Sequence, residues 1–266
     1  MQIQYQETTS DLQKRIEIHQ KYGSKDIDSW MLEILQLKPD LSILDVGCGA
    51  GKQCFAFHTH LQGRATIVGG DVNPDLLAQA REINRGIGDP VKFISLDFNK
   101  PFSLGENQFD LVSCCFAIYY AEEIPFTISE MHKILKPGGR LFTTGPMPQN
   151  KHLFYEIIQK ATGKLIPPMP GSSRYSTQIF TSIKSLFTSI ETFIFENPLV
   201  FERVDPFIEY TRASLSEDRQ LWNSFFQSKN EFEEIIAAIK EEASARIFKD
   251  GKLSMTKVVG GFIATK

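Results

Sequence analysis

The sequence predicts an α/β fold in which a mainly parallel, doubly wound sheet carries helices on both faces. Between residues 42 and 145, short hydrophobic runs alternate with stretches of helical periodicity, which is the order that parallel β-α-β units produce. The runs are almost continuously apolar, as expected for strands buried on both faces. A glycine-rich turn follows the first run, and sheets of this kind bind ligands at the carboxyl ends of their strands.

Each element of this core has a local signal. Asn73-Pro74 predicts a helix start, and the segment LKPGG at 135–139 predicts a helix end, because Pro suits the first turn and Pro with Gly stops a helix. The strands are expected at 42–46, 65–70, 91–96, 109–115 and 140–145, and the helices near 51–61, 74–84 and 125–135.

The flanking segments are predicted to be mainly helical. Apolar residues recur at helical spacing through 10–37, with Ser10 as a candidate cap. After Pro148 the pattern changes, and we expect an irregular connection at 164–178. The other expected elements are a helix at 151–163, strand-like segments at 192–197 and 198–201, helices at 204–215 and 216–245, and a final strand at 257–266.

These patterns divide the chain into four parts of one structural unit. Residues 1–40 are expected to form an N-terminal helical segment, and residues 41–150 the ligand-binding α/β core. Residues 151–190 are a predicted helical insert after the fifth strand, and residues 191–266 complete the sheet. A length of 266 residues suits one α/β domain with an elaboration.

Composition narrows the classes of function. The net charge is −3 and the pI about 6.0, whereas proteins that bind duplex nucleic acid are usually basic. No apolar run approaches the roughly 20 residues that span a bilayer. The cysteines form no Cys-x-x-Cys pair and have no His at zinc spacing; they are Cys48, Cys54, Cys114 and Cys115. We therefore expect a cytoplasmic protein with reduced cysteines, no metal, and no nucleic-acid or membrane partner.

The glycine loop in ILDVGCGAG, residues 43–51, favours one class of ligand over another. Dinucleotide sites use Gly-x-Gly-x-x-Gly, but here the sixth position is Lys52. Asp45 places a negative charge at the loop, which would repel a pyrophosphate and suit a ligand with an ammonium group. A tight turn without any ligand is the alternative for the loop taken alone.

Two further acids follow the next two predicted strands. Asp71 ends the second strand in IVGGDVNPDLL, where a carboxylate can accept hydrogen bonds from both ribose hydroxyls. Asp97 follows the third strand beside Phe98, an arrangement that suits the amine and the ring of adenine. Each acid alone is typical of a solvated helix cap, but three acids at successive strand ends indicate a nucleoside site.

The segments LDVGCGAG, GGDVNPDLL, SLDF, FDLVSCCFAIYY and ILKPGGRLF resemble, in order and spacing over residues 42–145, the class I S-adenosylmethionine (SAM) dependent methyltransferases. The resemblance implies a Rossmann-like, seven-stranded sheet with an antiparallel last strand, SAM as cofactor and S-adenosylhomocysteine as product. Relatives often use the N-terminal helices as a lid and an insert after the fifth strand as a roof over the acceptor pocket, so the resemblance implies these roles for residues 1–40 and 151–190. It also implies that the glycines line the methionine part of SAM and that Asp45 reaches its ammonium group, directly or through water. The implied cofactor residues are Asp45, Gly47, Gly49, Gly51, Asp71, Val72, Asn73, Asp97, Phe98 and the backbone at Cys115.

The acceptor side is less explicit in the sequence. Tyr119 stands where similar methyltransferases often carry His, and it is the candidate catalytic residue, with Tyr120 as its alternative. Candidate substrate contacts are Tyr22 in the N-terminal lid, Asn150 after the fifth strand, and Arg174 in the insert, whose guanidinium fork matches a carboxylate. For each of them a structural or solvated role is the competing interpretation.

The predicted function is therefore SAM-dependent transfer of a methyl group to an O, N or C atom of a small-molecule acceptor. An RNA or protein methyltransferase is one alternative, although the Asn/Asp-Pro-Pro-Tyr tetrad of base-amine and glutamine methylation is replaced here by CCFA at 114–117. A non-catalytic SAM-binding protein is another, since the acceptor site is not defined by a motif. A NAD-dependent oxidoreductase is the alternative that the sequence favours least.

Overall fold

The computed structural model describes residues 8–217, 219–226 and 228–266. The strands are β1 (Leu41–Val46), β2 (Ala65–Asp71), β3 (Val91–Ser95), β4 (Phe109–Cys115), β5 (Leu135–Pro146), β6 (Ser189–Phe201) and β7 (Leu253–Thr265). The helices are α1 (Thr9–Tyr22), α2 (Ile27–Leu35), α3 (Lys52–His60), α4 (Pro74–Gly86), α5 (Ile124–Ile134), α6 (His152–Thr162), α7 (Pro170–Ser173), α8 (Phe180–Leu186), α9 (Val204–Ala213), α10 (Arg219–Trp222) and α11 (Lys229–Asp250). A 3-10 turn spans Ile118–Tyr120, and a π-helical stretch, Arg174–Ile179, joins α7 to α8.

The seven strands form one sheet in the order β3-β2-β1-β4-β5-β7-β6. β1 to β5 are parallel to one another, and β7 runs antiparallel to both of its neighbours, β5 and β6. The prediction of a mainly parallel, doubly wound sheet of seven strands with an antiparallel last strand is confirmed. The strand order reverses between β1 and β4, which is where such sheets bind ligands.

The β6–β7 pair extends beyond the end of β5. Pro146 at the end of β5 pairs with Val259, but the pairing of β6 with β7 continues to Phe201 opposite Leu253. At about 3.4 Å per residue, this overhang projects roughly 20 Å past the carboxyl ends of the parallel strands. β6 is one strand rather than the two segments predicted, because Pro198 lies on an edge strand, where a missing N–H breaks no ladder.

A group of helices packs on this overhang, and we call α1, α6, α9, α10 and α11 together the cap. The cap has its own apolar cluster, which includes Ile18, Phe154, Ile157, Phe207, Trp222, Ile239 and Met255. Because the overhang lies beyond the carboxyl ends of β1–β5, the cap borders the edge of the sheet where the predicted site residues lie.

The predicted insert at 151–190 divides between two places. α6 belongs to the cap, whereas α7, the π-helical stretch and α8 form a continuous helical segment over 170–186, the roof helix. Tyr175, Ile179 and Ile183 of the roof helix are fully buried in the cluster on one face of the sheet. The irregular connection predicted for 164–178 is therefore helical from Pro170 onwards.

The predicted N-terminal lid also differs in detail from the structure, and its residues 1–7 lie outside the described residues. Thr8, not Ser10, caps α1, since its Oγ1 accepts a hydrogen bond from Asp11 N at 3.2 Å. The predicted helix at 10–37 is two helices. The Asn197 side chain of β6 binds the connection between them, accepting from Ser24 N at 3.0 Å and donating to the Lys25 carbonyl at 3.0 Å.

Candidate functional site

The glycine loop after β1 leaves open space at one position. Gly47, Gly49 and Gly51 all adopt positive φ angles, of 71°, 55° and 84°. A Cβ atom on Gly47 would lie 2.6 Å from Ala117 Cβ, and one on Gly51 would lie 2.8 Å from Phe93 Cζ, so packing alone requires glycine there. On Gly49 the nearest atom would be Leu76 Cδ1 at 3.9 Å. The backbone of Gly49 therefore faces room for a ligand.

Asp71 at the end of β2 is bound to this loop. Its Oδ2 accepts from Gly49 N and its Oδ1 from Asn73 N, both at 2.8 Å. A carboxylate can accept about four hydrogen bonds. Because each oxygen of Asp71 accepts only one backbone N–H here, both oxygens can still accept hydrogen bonds from hydroxyl groups of a ligand. Val72 beside it is 62% exposed, an unusual position for a branched apolar side chain. Asn73 instead caps α4, because its Oδ1 accepts from Asp75 N at 2.9 Å.

Asp45 is enclosed behind the loop. Only 2% of the residue is exposed; its Oδ1 accepts from Ser113 Oγ at 2.6 Å and its Oδ2 from Cys54 Sγ at 3.6 Å. Burial raises the pKa of this carboxyl group to about 7, although both hydrogen bonds act to lower it. The sequence analysis missed Ser113 and Cys54, although pairing β1 with β4 would have placed Ser113 opposite Asp45.

Asp97 and Phe98 follow β3 and lie beside the glycine loop. Asp97 accepts from Asn99 N at 3.0 Å and pairs with Lys100 at 2.9 Å. The hydrogen bond from Lys100 lowers the pKa of Asp97, so its carboxylate is charged at neutral pH. Phe98 Cε1 would lie 3.8 Å from a Cβ atom on Gly47, which places the ring near the start of the loop.

Cys115 ends β4 next to these groups. Its side chain is half-buried, and burial raises the pKa of its thiol well above the usual value, so it remains protonated. The chain turns sharply at Phe116, whose φ is 56° and whose N–H donates to the Thr144 carbonyl at 3.0 Å. This turn leads directly to the predicted reacting end.

Tyr119 and Tyr120 lie in the 3-10 turn after β4, with their ring centroids 4.7 Å apart. The roof helix packs on this turn: a Cβ atom on Gly171 would lie 3.5 Å from Tyr119 Cδ2, and Arg174 Nη2 donates to the Ala121 carbonyl. Arg174 Nε is buried and has no hydrogen-bond partner among the described residues. Arg174 thus lies beside the turn that carries the tyrosines and fixes that turn.

Two predicted substrate residues, Asn150 and Tyr22, make structural contacts. Asn150 is 7% exposed and its Oδ1 accepts from Val258 N at 3.0 Å, because the β7 overhang passes directly over the turn that follows β5. Tyr22 packs on Phe201 of β6, with ring centroids 5.0 Å apart, and belongs to the cap cluster. These side chains hold the overhang and α1 in place, and a contact of either residue with the substrate stays a prediction.

Comparison with known proteins identifies the domain that carries this site. The family described as "Methyltransferase domain" matches residues 43–139. Nocamycin O-methyltransferase of Saccharothrix syringae is 29% identical over 120 residues, 44% of this chain and 42% of that protein. Ubiquinone/menaquinone biosynthesis C-methyltransferase of Desulfotalea psychrophila is 28% identical over 118 residues, 44% of this chain and 46% of that protein. The chain therefore spans less than half the length of these two curated relatives.

A solved structure shows the same fold over nearly the whole chain. The crystal structure of a candidate methyltransferase from Bacillus halodurans aligns with a TM-score of 0.58 and 18% identity, over 90% of this chain and 98% of that one. Over residues 43–139 the chain carries a methyltransferase domain, and the sequence relatives together with the shared fold support a class I SAM-dependent methyltransferase.

The residues present fit the cofactor of this methyltransferase family. The domain match at 43–139 contains every predicted cofactor residue, and the open space at Gly49, the carboxylate of Asp71 and the exposed Val72 lie along one stretch of the carboxyl edge. Within residues 8–217, 219–226 and 228–266, no three His, Cys, Asp or Glu side chains are grouped to hold a metal ion. None of the helices in those ranges is long and apolar enough to cross a membrane.

A buried ionic cluster in the cap was not predicted. Arg15 of α1 and Lys151 before α6 lie 2.9 and 2.8 Å from the same oxygen, Oε2, of Glu217. The residues come from three distant segments of the chain, and no motif joins them, so no sequence signal could have grouped them.

Proposed function

We propose that this protein transfers a methyl group from SAM to an O, N or C atom of a small-molecule acceptor. The observation that carries the proposal is the hydrogen bond between Gly49 N and Asp71, beside open space and within the methyltransferase domain. The glycine loop would take the methionine part of SAM, and Asp71 the ribose hydroxyls. Val72, Asn73, Asp97 and Phe98 would surround the adenine, and the Cys115 backbone would accept from the SAM amino group.

Asp45 would act on the ammonium group of the cofactor from behind the loop. Because its carboxyl group is enclosed, this action is electrostatic or passes through water. A cation nearby stabilises the charged form of a carboxyl group whose pKa is otherwise raised by burial. Cofactor binding would then release a proton from Asp45 near neutral pH.

The chain's own part in the reaction is to orient the acceptor and exclude water, since a sulfonium methyl is already a good electrophile. Tyr119 is the candidate residue for orienting the acceptor, and Tyr120 is its alternative. Arg174 holds their turn through the Ala121 carbonyl, and its buried Nε has no hydrogen-bond partner among the described residues, which supports the hypothesis that it also meets an acidic group. The product would be S-adenosylhomocysteine.

Three observations support a small acceptor. The cap and the roof helix both border the carboxyl edge, so a large polymer would meet them before the tyrosines. The two relatives described above are named for nocamycin and for ubiquinone/menaquinone. The net charge of −3 disfavours an RNA acceptor. A cytoplasmic location belongs to this proposal, and the four described cysteines are free thiols.

The test uses SAM with a labelled methyl group. The protein is incubated with cell extract, and the label is followed into small-molecule, RNA and protein fractions, with Asp71→Ala as the inactive control and Asp75→Ala, an exposed acid four residues away, as the matched one. We expect label in small molecules from the wild type and Asp75→Ala only. Label in RNA or protein would contradict the acceptor class, and tight SAM binding without transfer would indicate a non-catalytic protein.

A further inference from the structure

The buried cluster of Arg15, Lys151 and Glu217 is built to hold an anion. The Arg15 side chain is 7% exposed and that of Lys151 is 2% exposed, and both cations contact one carboxylate oxygen. Buried charges are costly unless they are paired with close partners, so removing the anion from this place without a replacement is strongly unfavourable. A second carboxylate or a phosphate is the natural replacement, because it keeps the charges paired.

The cations and the anion come from different kinds of elements. Arg15 lies on α1, next to Ile18 in the cap cluster, and Lys151 is fixed by its backbone N–H, which donates to the Thr256 carbonyl of β7 at 3.1 Å. Lys151 also precedes α6, whose N-terminal N–H groups receive no side-chain cap from it. Glu217 lies in the turn between α9 and α10 and is 25% exposed. The two cations are therefore held in the buried part of the cap, whereas Glu217 lies in a partly exposed turn.

The cluster lies on the acceptor side of the molecule. Lys151 follows the end of β5 after a short turn, at the edge of the sheet where the Tyr119 turn follows β4. His19 of α1 adjoins the cluster, and its Nε2 is buried without a hydrogen-bond partner among the described residues. Burial, together with the charges of Lys257 and Arg15, lowers the pKa of His19, so the ring is neutral and can donate or accept at one ring nitrogen.

We propose that Arg15 and Lys151 bind an anionic group of the acceptor, a carboxylate or a phosphate, and that Glu217 occupies this site until the acceptor arrives. The exchange replaces one anion by another and frees the turn that carries Glu217. The acceptor is then an acidic small molecule. The part of this inference that concerns the acceptor rests on the proposed function, whereas the anion site stands on the cluster alone.

The anion site is tested with inorganic phosphate and with acetate, in the absence of SAM. Calorimetry compares the wild type with Glu217→Gln and with the double variant Arg15→Gln/Glu217→Gln. The matched control is Glu233→Gln, which removes an exposed partner of Arg212 in the same cap. We expect Glu217→Gln to bind at least one probe about tenfold or more tightly than the wild type, because the fraction of open sites rises. The double variant should lose this gain, and Glu233→Gln should match the wild type.

Equal affinity in Glu217→Gln and the wild type would overturn the site, as would a gain that survives in the double variant. Preference for phosphate or for acetate identifies the chemistry of the group. If Glu217→Gln does not fold, Glu217→Asp, which keeps the charge on a shorter side chain, should show a smaller gain, and its absence would count equally against the site.

The acceptor is tested with the labelled product of the extract experiment. We expect the labelled small molecule to be retained by an anion exchanger at neutral pH, and a neutral or cationic product would overturn the assignment of an acidic acceptor. The two failures are distinguishable. Absence of any label refutes the proposed function, whereas failure of the phosphate and acetate experiment refutes the site with methyl transfer intact.

Discussion

Asp45 carries a carboxyl group in a place that water scarcely reaches. Its folded-state pKa of about 7 lies above the usual value of 3.8 because burial disfavours the charged form. Between these two pH values the folded protein binds a proton that the unfolded chain does not. By linkage, the contribution of Asp45 to stability is fully present below the lower value and is lost as the pH rises towards 7.

The first prediction follows from the direction of this pH dependence of stability. In Asp45→Asn the side chain keeps an acceptor for Ser113 but cannot ionise. From pH 4 to pH 8 the free energy of unfolding of the wild type should fall by roughly 4 kcal/mol more than that of the variant, since one pKa unit corresponds to about 1.4 kcal/mol. Urea denaturation at intervals across this range measures the difference. Parallel profiles for the two proteins would show that Asp45 does not titrate as described.

At Gly49, the effect of backbone strain on stability can be separated from the effect of an added side chain on ligand binding. Alanine at a positive φ costs about 1–2 kcal/mol, and at Gly49 its Cβ atom would also enter the open space. We predict that Gly49→Ala abolishes measurable binding of S-adenosylhomocysteine while the protein remains folded. Gly251→Ala is the matched control, because Gly251 also has a positive φ, of 75°, and nothing lies within 4 Å of its Cβ position. Calorimetry decides, and equal binding by both variants would remove Gly49 from the site.

At the scale of elements, the roof helix depends on one aromatic side chain. The Tyr175 ring stacks on Phe262 at 4.7 Å, and its hydroxyl donates to the Thr143 carbonyl at 2.8 Å. A Cβ atom on Gly145 would lie 2.5 Å from this ring, and one on Gly260 would lie 3.1 Å from it. The two glycines of β5 and β7 thus form a flat floor that admits the ring.

Tyr175→Ala is predicted to reduce the free energy of unfolding by about 3–5 kcal/mol, as expected for a large buried aromatic residue. Phe248→Ala is the control of similar chemistry, since Phe248 is 94% exposed and should change stability by less than about 0.5 kcal/mol. Urea denaturation of both variants tests the difference. A loss below about 1 kcal/mol for Tyr175→Ala would mean that the roof helix is held by its other contacts.

The roof helix was predicted only in part from its sequence. Pro170 and Gly171, with the serines that follow, indicated an irregular segment, but Tyr175, Ile179 and Ile183 recur every fourth residue and are fully buried. That spacing was a helical signal. The π-helical form of 174–179, by contrast, depends on how the helix meets β5 and the Tyr119 turn, and no local pattern encodes it.

At the scale of the whole molecule, β6 and β7 contribute side chains both to the apolar packing of the sheet and to the apolar cluster of the cap. Phe193 of β6 packs at the sheet cluster around Phe142, and Phe201 of the same strand is in the cap cluster. Two strands shared in this way should make the sheet and the cap unfold together, since neither can lose its core without disrupting the pairing of β6 with β7.

The two tryptophans test this cooperativity, because Trp30 packs on the sheet and Trp222 is buried in the cap. Trp30→Phe retains Trp222 as its fluorescent probe, and Trp222→Phe retains Trp30. We predict that in each variant the urea transition followed by tryptophan fluorescence coincides with the transition followed by circular dichroism, so that each variant serves as its own reference for stability. In that case both tryptophans report one unfolding event. A fluorescence midpoint of Trp222 at lower urea than the loss of secondary structure would show that the cap unfolds first.

The cofactor side of the molecule was predictable because its signals are local. Gly47, Gly49 and Gly51 follow one strand and Asp71 ends the next, so strand order alone brings them together. The acceptor side was not, because Arg15, Lys151 and Glu217 meet only when α1, α6 and α9 pack on the overhang. The structural contact of Asn150 was not predictable for the same reason: its position after β5 was correctly predicted, but the strand that covers it lies more than a hundred residues later in the sequence.

The flat floor beneath Tyr175 imposes an order on evolutionary change. A methyl group at Gly145 collides with the aromatic ring at 175, but the same methyl group would partly fill the space left by a smaller residue there. Substitutions at these two positions are therefore epistatic. A lineage that drifts towards a different roof must first shrink position 175 and only then enlarge the floor, and the reverse order passes through a less stable protein.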